Sequence, residues 1–198
     1  MLLFLAPSFC QWNKYDYQPE TSTTQPYQII NSVEGNGPSL SDGAMFGWSV
    51  ANIGDLDGDG SNELAVGAIG ETCMSNETES QSRCGAVYIL FMGRNRTTVL
   101  RSVRITNEVN GGPRYLRAND NFGHGIAPAG DIDGDGIVDL AVGAPGTYTG
   151  GSLYILFMEV DGSARSYTLI RGQVNGNGPP VKFMGRFASS MAYLGTCK

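Results

Sequence analysis

The chain contains an internal repeat, and this repeat is the feature that most limits how it can fold. Residues 54–68 read GDLDGDGSNELAVGA and residues 130–144 read GDIDGDGIVDLAVGA, with eleven of the fifteen positions identical. An aromatic–glycine pair precedes each copy, and a run ending in YILFM follows it. Repeats of this kind are supersecondary units that bury their apolar faces against neighbouring units. The chain is therefore predicted to be a row of similar units.

Each copy is predicted to form four short strands, since its apolar runs are short and glycine-rich segments separate them. The run AVYILFM is apolar on both faces, which is typical of a strand packed between two neighbouring sheets. Four-stranded antiparallel units of this kind are the blades of a β-propeller, so the predicted fold class is all-β. The predicted strands are 46–53, 63–68, 85–92 and 99–106 in the first copy, and 122–129, 139–144, 151–158 and 166–171 in the second.

The repeat also predicts where the units begin and end. Residues 1–26 start with an apolar stretch and continue as a polar segment. This pattern fits either a trimmed signal peptide followed by a linker or a strand-like or disordered end. A third copy starts with FASSM at 187–191 but lacks an acidic loop, so we expect a truncated or frameshifted fragment and a partial propeller, with a degenerate final repeat as the alternative. The predicted propeller repeats cover 27–198, with blades at about 27–106, 107–171 and an incomplete 172–198.

The acidic loop, present in two copies, predicts two calcium sites. The pattern D-x-D-G-D-G-x-x-[DE] places oxygen donors at alternate positions of a tight turn, and calcium takes about six to eight oxygen ligands. Without a cation, carboxylates this close together repel one another. The predicted ligands are Asp55, Asp57, Asp59, the carbonyl of Ser61 and Glu63 in the first loop, and Asp131, Asp133, Asp135, the carbonyl of Ile137 and Asp139 in the second.

Three other interpretations of the acidic loops are less favoured by the sequence. An EF-hand requires a Glu at the twelfth loop position and flanking helices, whereas Val66 and Val142 stand at that position in strand-like runs. Plain acidic turns would have no reason to repeat the same spacing and the same following strand. Magnesium suits a cage of carboxylates and carbonyls less well than calcium does.

An insertion of ten residues distinguishes the first copy from the second. It lies between the Gly-Ala motif and the next strand-like run, and Cys73 and Cys84 bracket it. A disulfide between these cysteines would limit the freedom of the insertion, and we favour it over two unpaired thiols.

The remaining motifs concern location and catalysis. Asn76 and Asn95 begin Asn-x-Thr sequons and are predicted glycosylation sites of an extracellular protein. No apolar run approaches the roughly 18 residues that span a membrane. His124 is the single histidine, no GxSxG motif occurs, and the cysteines lack zinc-ligand spacing, so no enzyme is predicted. Eight of the nineteen acidic residues lie in the two loops and no basic surface is evident, so nucleic acid is not an expected partner.

These motifs resemble the FG-GAP repeat. The Phe-Gly elements are at 46–47 and 122–123, and the Gly-Ala elements are GAIG at 67–70 and GAPG at 143–146. The family includes the N-terminal head of integrin alpha subunits, in which such repeats form a propeller with structural calcium. It also includes phosphatidylinositol-glycan-specific phospholipase D.

The resemblance implies an extracellular, calcium-stabilised module for protein recognition or cell adhesion. Its expected partners are a protein or glycan ligand at the cell surface and a second, integrin-like subunit. The alternative that the resemblance implies is the non-catalytic propeller portion of a larger secreted hydrolase, similar to the phospholipase. In both cases the expected cofactor is Ca²⁺ at two sites, and the chain itself is not expected to catalyse a reaction.

Overall fold

The computed structural model describes residues 28–32, 36–74, 81–94, 97–148, 150–171 and 185–192. Within these ranges the regular elements are all β-strands, which confirms the predicted all-β class. None of the described residues forms a helix long and apolar enough to cross a bilayer. The strands are β1 (Phe46–Gly54), β2 (Glu63–Ala68), β3 (Thr72–Met74), β4 (Gln81–Arg83), β5 (Ala86–Met92), β6 (Val99–Ile105), β7 (Ile126–Gly130), β8 (Asp139–Ala144), β9 (Ser152–Met158) and β10 (Ala164–Arg171).

Each repeat forms one four-stranded antiparallel sheet. The strand orders are β1-β2-β5-β6, called blade 1, and β7-β8-β9-β10, called blade 2. The second and third strands have the same register in both, since Val66 pairs with Tyr88 and Val142 pairs with Tyr154. The edge strands β1 and β7, which are the first strands of the two blades, contact each other. The two sheets are thus equivalent blades of a partial propeller.

The third strand of each blade shows how the faces of the sheet are covered. All seven residues of β5 are buried, as the two-sided apolar pattern predicts. Ile89 and Phe91 on one face of β5 belong to a core that extends into blade 2, whereas Tyr88 and Leu90 on the other face belong to a second core. The equivalent strand β9 alternates buried and partly exposed residues. One face of blade 2 is therefore less completely covered than either face of blade 1.

The Phe-Gly elements connect one blade to the next. The Phe122 N–H donates to the carbonyl of Cys84 at 2.9 Å, and Phe122 forms a parallel bridge with Gly85. After blade 2, Phe187 forms the same parallel bridge with Gly151. The start of the third sequence copy thus lies against blade 2 as the start of the second copy lies against blade 1. Residues 1–26 and most of 172–198 are outside the described residues, so the predicted boundaries there remain predictions.

Two features of the strands differ from the sequence prediction. The strand predicted at 122–129 begins only at Ile126, because the N–H groups of Gly123 and His124 both donate to the carbonyl of Gly143 and prevent a regular ladder. The insertion contains the hairpin β3–β4, whose strands of three residues are too short to show a periodic pattern. The other predicted strands agree with the structure to within two residues at each end.

Candidate metal centres

The first acidic loop joins β1 to β2 and folds around the side chain of its first aspartate. Asp55 accepts hydrogen bonds from the N–H of Gly58 at 2.8 Å and from the N–H of Gly60 at 3.0 Å. Asp59 accepts one from the N–H of Ser61 at 2.7 Å. Gly58 and Gly60 have φ angles of 78° and 89°, which residues with a side chain rarely adopt. The aspartates therefore shape the turn, and each carboxylate retains lone pairs for a cation.

The second acidic loop joins β7 to β8 and repeats this hydrogen-bonding pattern. Asp131 accepts from the N–H of Gly134 at 2.7 Å and from the N–H of Gly136 at 2.9 Å. Asp135 accepts from the N–H of Ile137 at 2.9 Å. Each bond has a counterpart in the first loop. The spacing of Asp and Gly, which the two loops share, is thus sufficient to give both loops the same conformation.

The last acidic residue of each pattern is the first residue of the following strand and is buried. Glu63 is 1% exposed and Asp139 is 0% exposed. The N–H of Leu56 donates to Glu63 at 2.6 Å. The N–H groups of Ile132 and Met158 donate to opposite oxygens of Asp139, at 2.9 and 3.1 Å. These two carboxylates hold the ends of their loops against the strands.

Burial raises the pKa of both Glu63 and Asp139 above the usual range of a carboxyl group. The backbone N–H donors lower each pKa, and the charges of the other loop aspartates raise it again. A cation between these carboxylates would offset their mutual repulsion and favour the ionised forms. The electrostatics of both loops therefore favour cation binding.

Three carboxylates converge in each loop. In each cluster, one oxygen atom of each carboxylate lies within 4.8 Å of the corresponding oxygens of the other two. Such a set of oxygen donors, in a loop that offers further carbonyls, fits Ca²⁺. The Ser61 hydroxyl is also buried in the first loop and has no hydrogen-bond partner among the described residues. The clusters are Asp55, Asp57 and Glu63 in the first loop, and Asp131, Asp133 and Asp139 in the second.

The structure brings together six of the ten predicted ligand residues in these clusters. Among the described residues, Asp59 and Asp135 lie in the same loops but outside the two clusters. Each instead accepts the N–H of the residue predicted to coordinate through its carbonyl, Ser61 or Ile137. The full ligand sets of the two loops remain predictions.

Two arginines that sequence reasoning missed lie beside the clusters. Arg165, near the start of β10, forms ion pairs with Asp133 and, at 3.1 Å, with Asp135. Arg101 of β6 lies 3.5 Å from Asp57. Both arginines come from the fourth strand of their blade, about 30 to 45 residues after the loop they face. The two arginines are not at equivalent positions, because Arg101 pairs with Phe91 whereas Arg165 lies at a register irregularity in β10, so the sequence alone does not mark them.

Replacing Arg165 with methionine should lower the melting temperature of the metal-free protein by a few degrees, because the aspartates of the second loop lose the positive charge that Arg165 places beside them. The decrease should be smaller in calcium, since the bound ion supplies charge to the same carboxylates. Thermal melts in chelator and in calcium measure both values. The control is Arg83→Met, which removes an exposed arginine that donates to the carbonyl of Asp42 in blade 1. Equal changes in chelator and in calcium would contradict the expected role of Arg165.

A disulfide joins Cys73 to Cys84. Their Cα atoms are 5.8 Å apart, and the two cysteines lie in and directly after the strands of the β3–β4 hairpin. The bridge therefore closes the insertion at its base. The predicted glycosylation sites Asn76 and Asn95 lie outside the described residues and remain predictions.

His124 has packing contacts in the connection between the blades. Its Nδ1 lies 2.8 Å from the carbonyl oxygen of Ser189. Its ring contacts the ring of Trp48 with the centroids 5.2 Å apart. Trp48 and His124 are the equivalent residues of the two repeats, so this contact joins one blade to the next.

Comparison with known proteins identifies the repeat. The family model of the FG-GAP repeat matches residues 46–90 and 122–156. The chain is 37% identical over 107 residues to integrin alpha-PS5 of Drosophila melanogaster, which covers 54% of this chain and 9% of that protein. It is 36% identical over 113 residues to integrin alpha-6 of Gallus gallus, covering 57% of this chain and 9% of that protein.

A relative of a different class matches a longer part of the chain. Phosphatidylinositol-glycan-specific phospholipase D of Bos taurus is 28% identical over 162 residues, which covers 71% of this chain and 18% of that protein. The chain thus spans less than a fifth of the length of each of these three relatives. The two matched segments coincide with the Phe-Gly connectors, acidic loops and first three main strands of blades 1 and 2. The chain therefore contains two FG-GAP repeats, at residues 46–90 and 122–156.

Proposed function

We propose that each acidic loop binds one Ca²⁺ and that the ion stabilises the blade to which the loop belongs. The observation that carries this proposal is the convergence of three carboxylates in both loops, with the same supporting hydrogen bonds. In this proposal Asp55, Asp57, Asp59, the Ser61 carbonyl and Glu63 hold the first ion. Asp131, Asp133, Asp135, the Ile137 carbonyl and Asp139 hold the second. Calcium supplies positive charge that lets these carboxylates lie together.

The proposed role of the stabilised propeller is recognition outside the cell or at its surface. The Cys73–Cys84 disulfide supports this location, since such bonds persist in oxidising compartments. The similarity to integrin alpha chains supports a protein ligand or a second, integrin-like subunit as partner, and a glycan ligand is compatible with the same role. In this proposal the chain binds and does not catalyse.

A second function is favoured by one observation, the phospholipase D relative that matches 71% of the chain. The two blades would then be a non-catalytic part of a larger secreted hydrolase. The full-length protein distinguishes the two functions. Release of a glycosylphosphatidylinositol-anchored reporter from membranes by that protein would favour the hydrolase, whereas calcium-dependent binding to cells without such release would favour the recognition module.

Calcium should raise the unfolding free energy of the chain by about 2.7 kcal/mol for each site when the free ion is 100-fold above its Kd. The reason is that the folded loops bind the ion and the unfolded chain has no such site. Thermal melts in calcium, magnesium and chelator measure the effect. Magnesium should raise the melting temperature less, because a cage of carboxylates and carbonyls suits calcium better.

Matched variants assign the calcium effect to the loops. Asp57→Asn and Asp133→Asn should each remove about half of the rise in melting temperature, since each removes a carboxylate from one cluster. Asp42→Asn changes the charge equally outside both loops and should retain the full rise. Equal melting temperatures of the unmodified chain in calcium and in chelator would contradict the proposed sites.

A further inference from the structure

Arg101 of β6 contacts the first acidic loop and blade 2 with the same guanidinium group. The carbon atom of this group lies 3.1 Å from the centroid of the Phe91 ring. Its Nη2 atom lies 3.5 Å from an oxygen of Asp57, one of the three converging carboxylates of the loop. Its Nη1 atom donates to the carbonyl oxygen of Asp161 at 2.8 Å. Asp161 lies between β9 and β10, so Arg101 joins a candidate metal centre of blade 1 to a turn of blade 2.

This turn, residues 159–163, is closed by hydrogen bonds of its own. The N–H of Glu159 donates to the carbonyl of Ser163 at 2.8 Å, and the N–H of Gly162 donates to the carbonyl of Glu159 at 2.9 Å. The Asp161 carboxylate accepts from both the N–H and the hydroxyl of Ser163. Because these bonds lie within the turn, they fix its shape without Arg101. The bond from Arg101 therefore holds an already formed turn against blade 1.

The turn also packs on the apolar core between the blades. A Cβ atom on Gly162 would lie 2.8 Å from Cε2 of Phe91 and 3.3 Å from Cγ2 of Ile89. Phe91 and Ile89 both belong to the core that extends from blade 1 into blade 2. Phe91 thus contacts the turn as well as the guanidinium group of Arg101. The position of the turn therefore limits how far that guanidinium group can move.

The arginine beside the second acidic loop has different partners. Arg165 forms ion pairs with Asp133, Asp135 and Glu159, all of which belong to blade 2. These ion pairs stay within one blade, whereas the contacts of Arg101 extend from blade 1 to blade 2. The two loops share their conformation but differ in this connection. The second loop can therefore serve as an internal control for the first.

The charge of Arg101 opposes a cation in the first loop. A divalent ion held by Asp55, Asp57 and Glu63 would share Asp57 with the guanidinium group and would be repelled by it. In the metal-free loop, the same guanidinium group offsets part of the repulsion among the carboxylates. The side chains of Arg101 and Asp57 are 43% and 28% exposed, so water and salt weaken these effects without removing them.

We infer that Arg101 couples the first metal loop to the packing of blade 2 on blade 1. The Asp161 carbonyl and the Phe91 ring keep the guanidinium group beside Asp57, where it lowers the affinity of the loop for Ca²⁺. Movement of the turn away from blade 1 releases Arg101 and raises that affinity. By linkage, filling the first loop with Ca²⁺ weakens the contact between Arg101 and the turn. This inference rests on the proposed calcium site of the first loop and names the residue that regulates it.

The first test measures calcium affinity by calorimetric titration of the whole chain. Asp133→Asn disables the second site, so that the titration reports the first. In this background Arg101→Met should raise the affinity about three- to tenfold at low ionic strength, and the gain should shrink at high salt. Arg101→Lys retains the charge and should show little of this gain. In an Asp57→Asn background, which leaves the second site, Arg101→Met should not change the affinity.

A second test changes blade 2 and measures the first loop. Gly162→Ala places a methyl group against Phe91 and should displace the turn. In the Asp133→Asn background it should raise the affinity of the first site, by less than Arg101→Met does. When Arg101 is already methionine, Gly162→Ala should have no effect on the affinity, since the charge through which it acts is absent. Gly143→Ala disturbs blade 2 at its Gly-Ala element and should leave the affinity unchanged.

Two results would overturn the inference. One is an affinity of the first site that is unchanged or lowered in Arg101→Met while the unmodified chain still gains melting temperature in calcium. A purely structural role of Arg101 would give that result, since loosened packing does not improve a binding site, and the proposed calcium sites would stand. The other is an effect of Gly162→Ala on the affinity that is equal with and without Arg101.

The metal-free chain provides a measurement that does not depend on calcium. In chelator, Arg101→Met and Gly162→Ala together should lower the free energy of unfolding by less than the sum of the two single losses, because both break the same contact. Additive losses would contradict the coupling. Arg101→Met alone still tests the inference if Gly162→Ala fails to fold. Absence of any calcium effect on the unmodified chain would instead count against the proposed function.

Discussion

Replacing Gly67 with alanine should destabilise the chain by about 2–3 kcal/mol, because the added methyl group has no space between the blades. Gly67 lies in β2, where the connector to blade 2 crosses it. A Cβ atom there would lie 2.1 Å from the carbonyl oxygen of Gly123 and 2.4 Å from the hydroxyl oxygen of Ser49. The Ser49 hydroxyl donates to that same carbonyl at 2.7 Å. The substitution would therefore break this hydrogen bond and push the blades apart.

Chemical denaturation measures this effect as a decrease in the free energy of unfolding. Gly125→Ala is the matched control, since a Cβ atom there would lie 3.1 Å from its nearest neighbour, the carbonyl oxygen of Ser189. That contact is tight but can be relieved by a small shift of the backbone. Gly125→Ala should therefore lower the free energy of unfolding by less than half as much as Gly67→Ala does. An unfolding free energy for Gly67→Ala equal to that of the unmodified chain would contradict the close approach of the blades.

The same close approach explains why a repeat of this kind carries both a Phe-Gly and a Gly-Ala element. A Cβ atom on Gly143, the equivalent of Gly67, would lie 1.9 Å from the carbonyl oxygen of Ala188, which follows Phe187. Each Gly-Ala element thus accommodates the backbone that follows the next Phe-Gly or Phe-Ala pair. The two elements are distant within one repeat but adjacent between consecutive repeats. The Gly-Ala element of one repeat and the Phe-Gly or Phe-Ala pair of the next therefore indicate where consecutive blades are in contact.

The strands and acidic loops could be predicted because their signals are local. The bonds from Gly58 and Gly60 to Asp55 span three and five residues, so the short pattern that defines the loop also defines its conformation. The repetition of this pattern then extended the prediction to blade 2. The all-β class followed from the same local evidence, since strand-like runs such as β5 are short and apolar on both faces.

Features that depend on the folded blade could not be predicted. Arg165 lies 32 residues after Asp133 in the chain, and the sequence gives no reason to pair them. The bond from the Tyr88 hydroxyl to Glu71 joins β5 to the residue before β3, and no motif in the sequence marks it. In both cases the relevant contact joins different strands or connections. A repeat aligned by its motifs shows which residues are equivalent but not which ones touch.

Replacing Asp139 with alanine should lower the free energy of unfolding by about 2–5 kcal/mol in chelator as well as in calcium, because two buried N–H donors lose their acceptor. These donors are the N–H groups of Ile132 and Met158, and Asp139 is completely buried. Asp139→Asn should lower the free energy of unfolding by a smaller amount, because the amide oxygen still accepts one of the two N–H groups. The NH₂ group of the amide would face the other N–H group and could not accept from it. Denaturation in both conditions measures the loss.

Asp131→Ala separates this structural role of Asp139 from calcium binding. Asp131 also accepts two N–H groups, from Gly134 and Gly136, but these bonds are exposed and water can replace the carboxylate. In chelator, Asp131→Ala should therefore cost much less than Asp139→Ala, about 1 kcal/mol or below. In calcium, both variants should also lose the stabilisation supplied by the second ion. If the two variants were equally stable in chelator, Asp139 would not anchor the loop, and its carboxylate would matter to blade 2 only as a ligand of the metal.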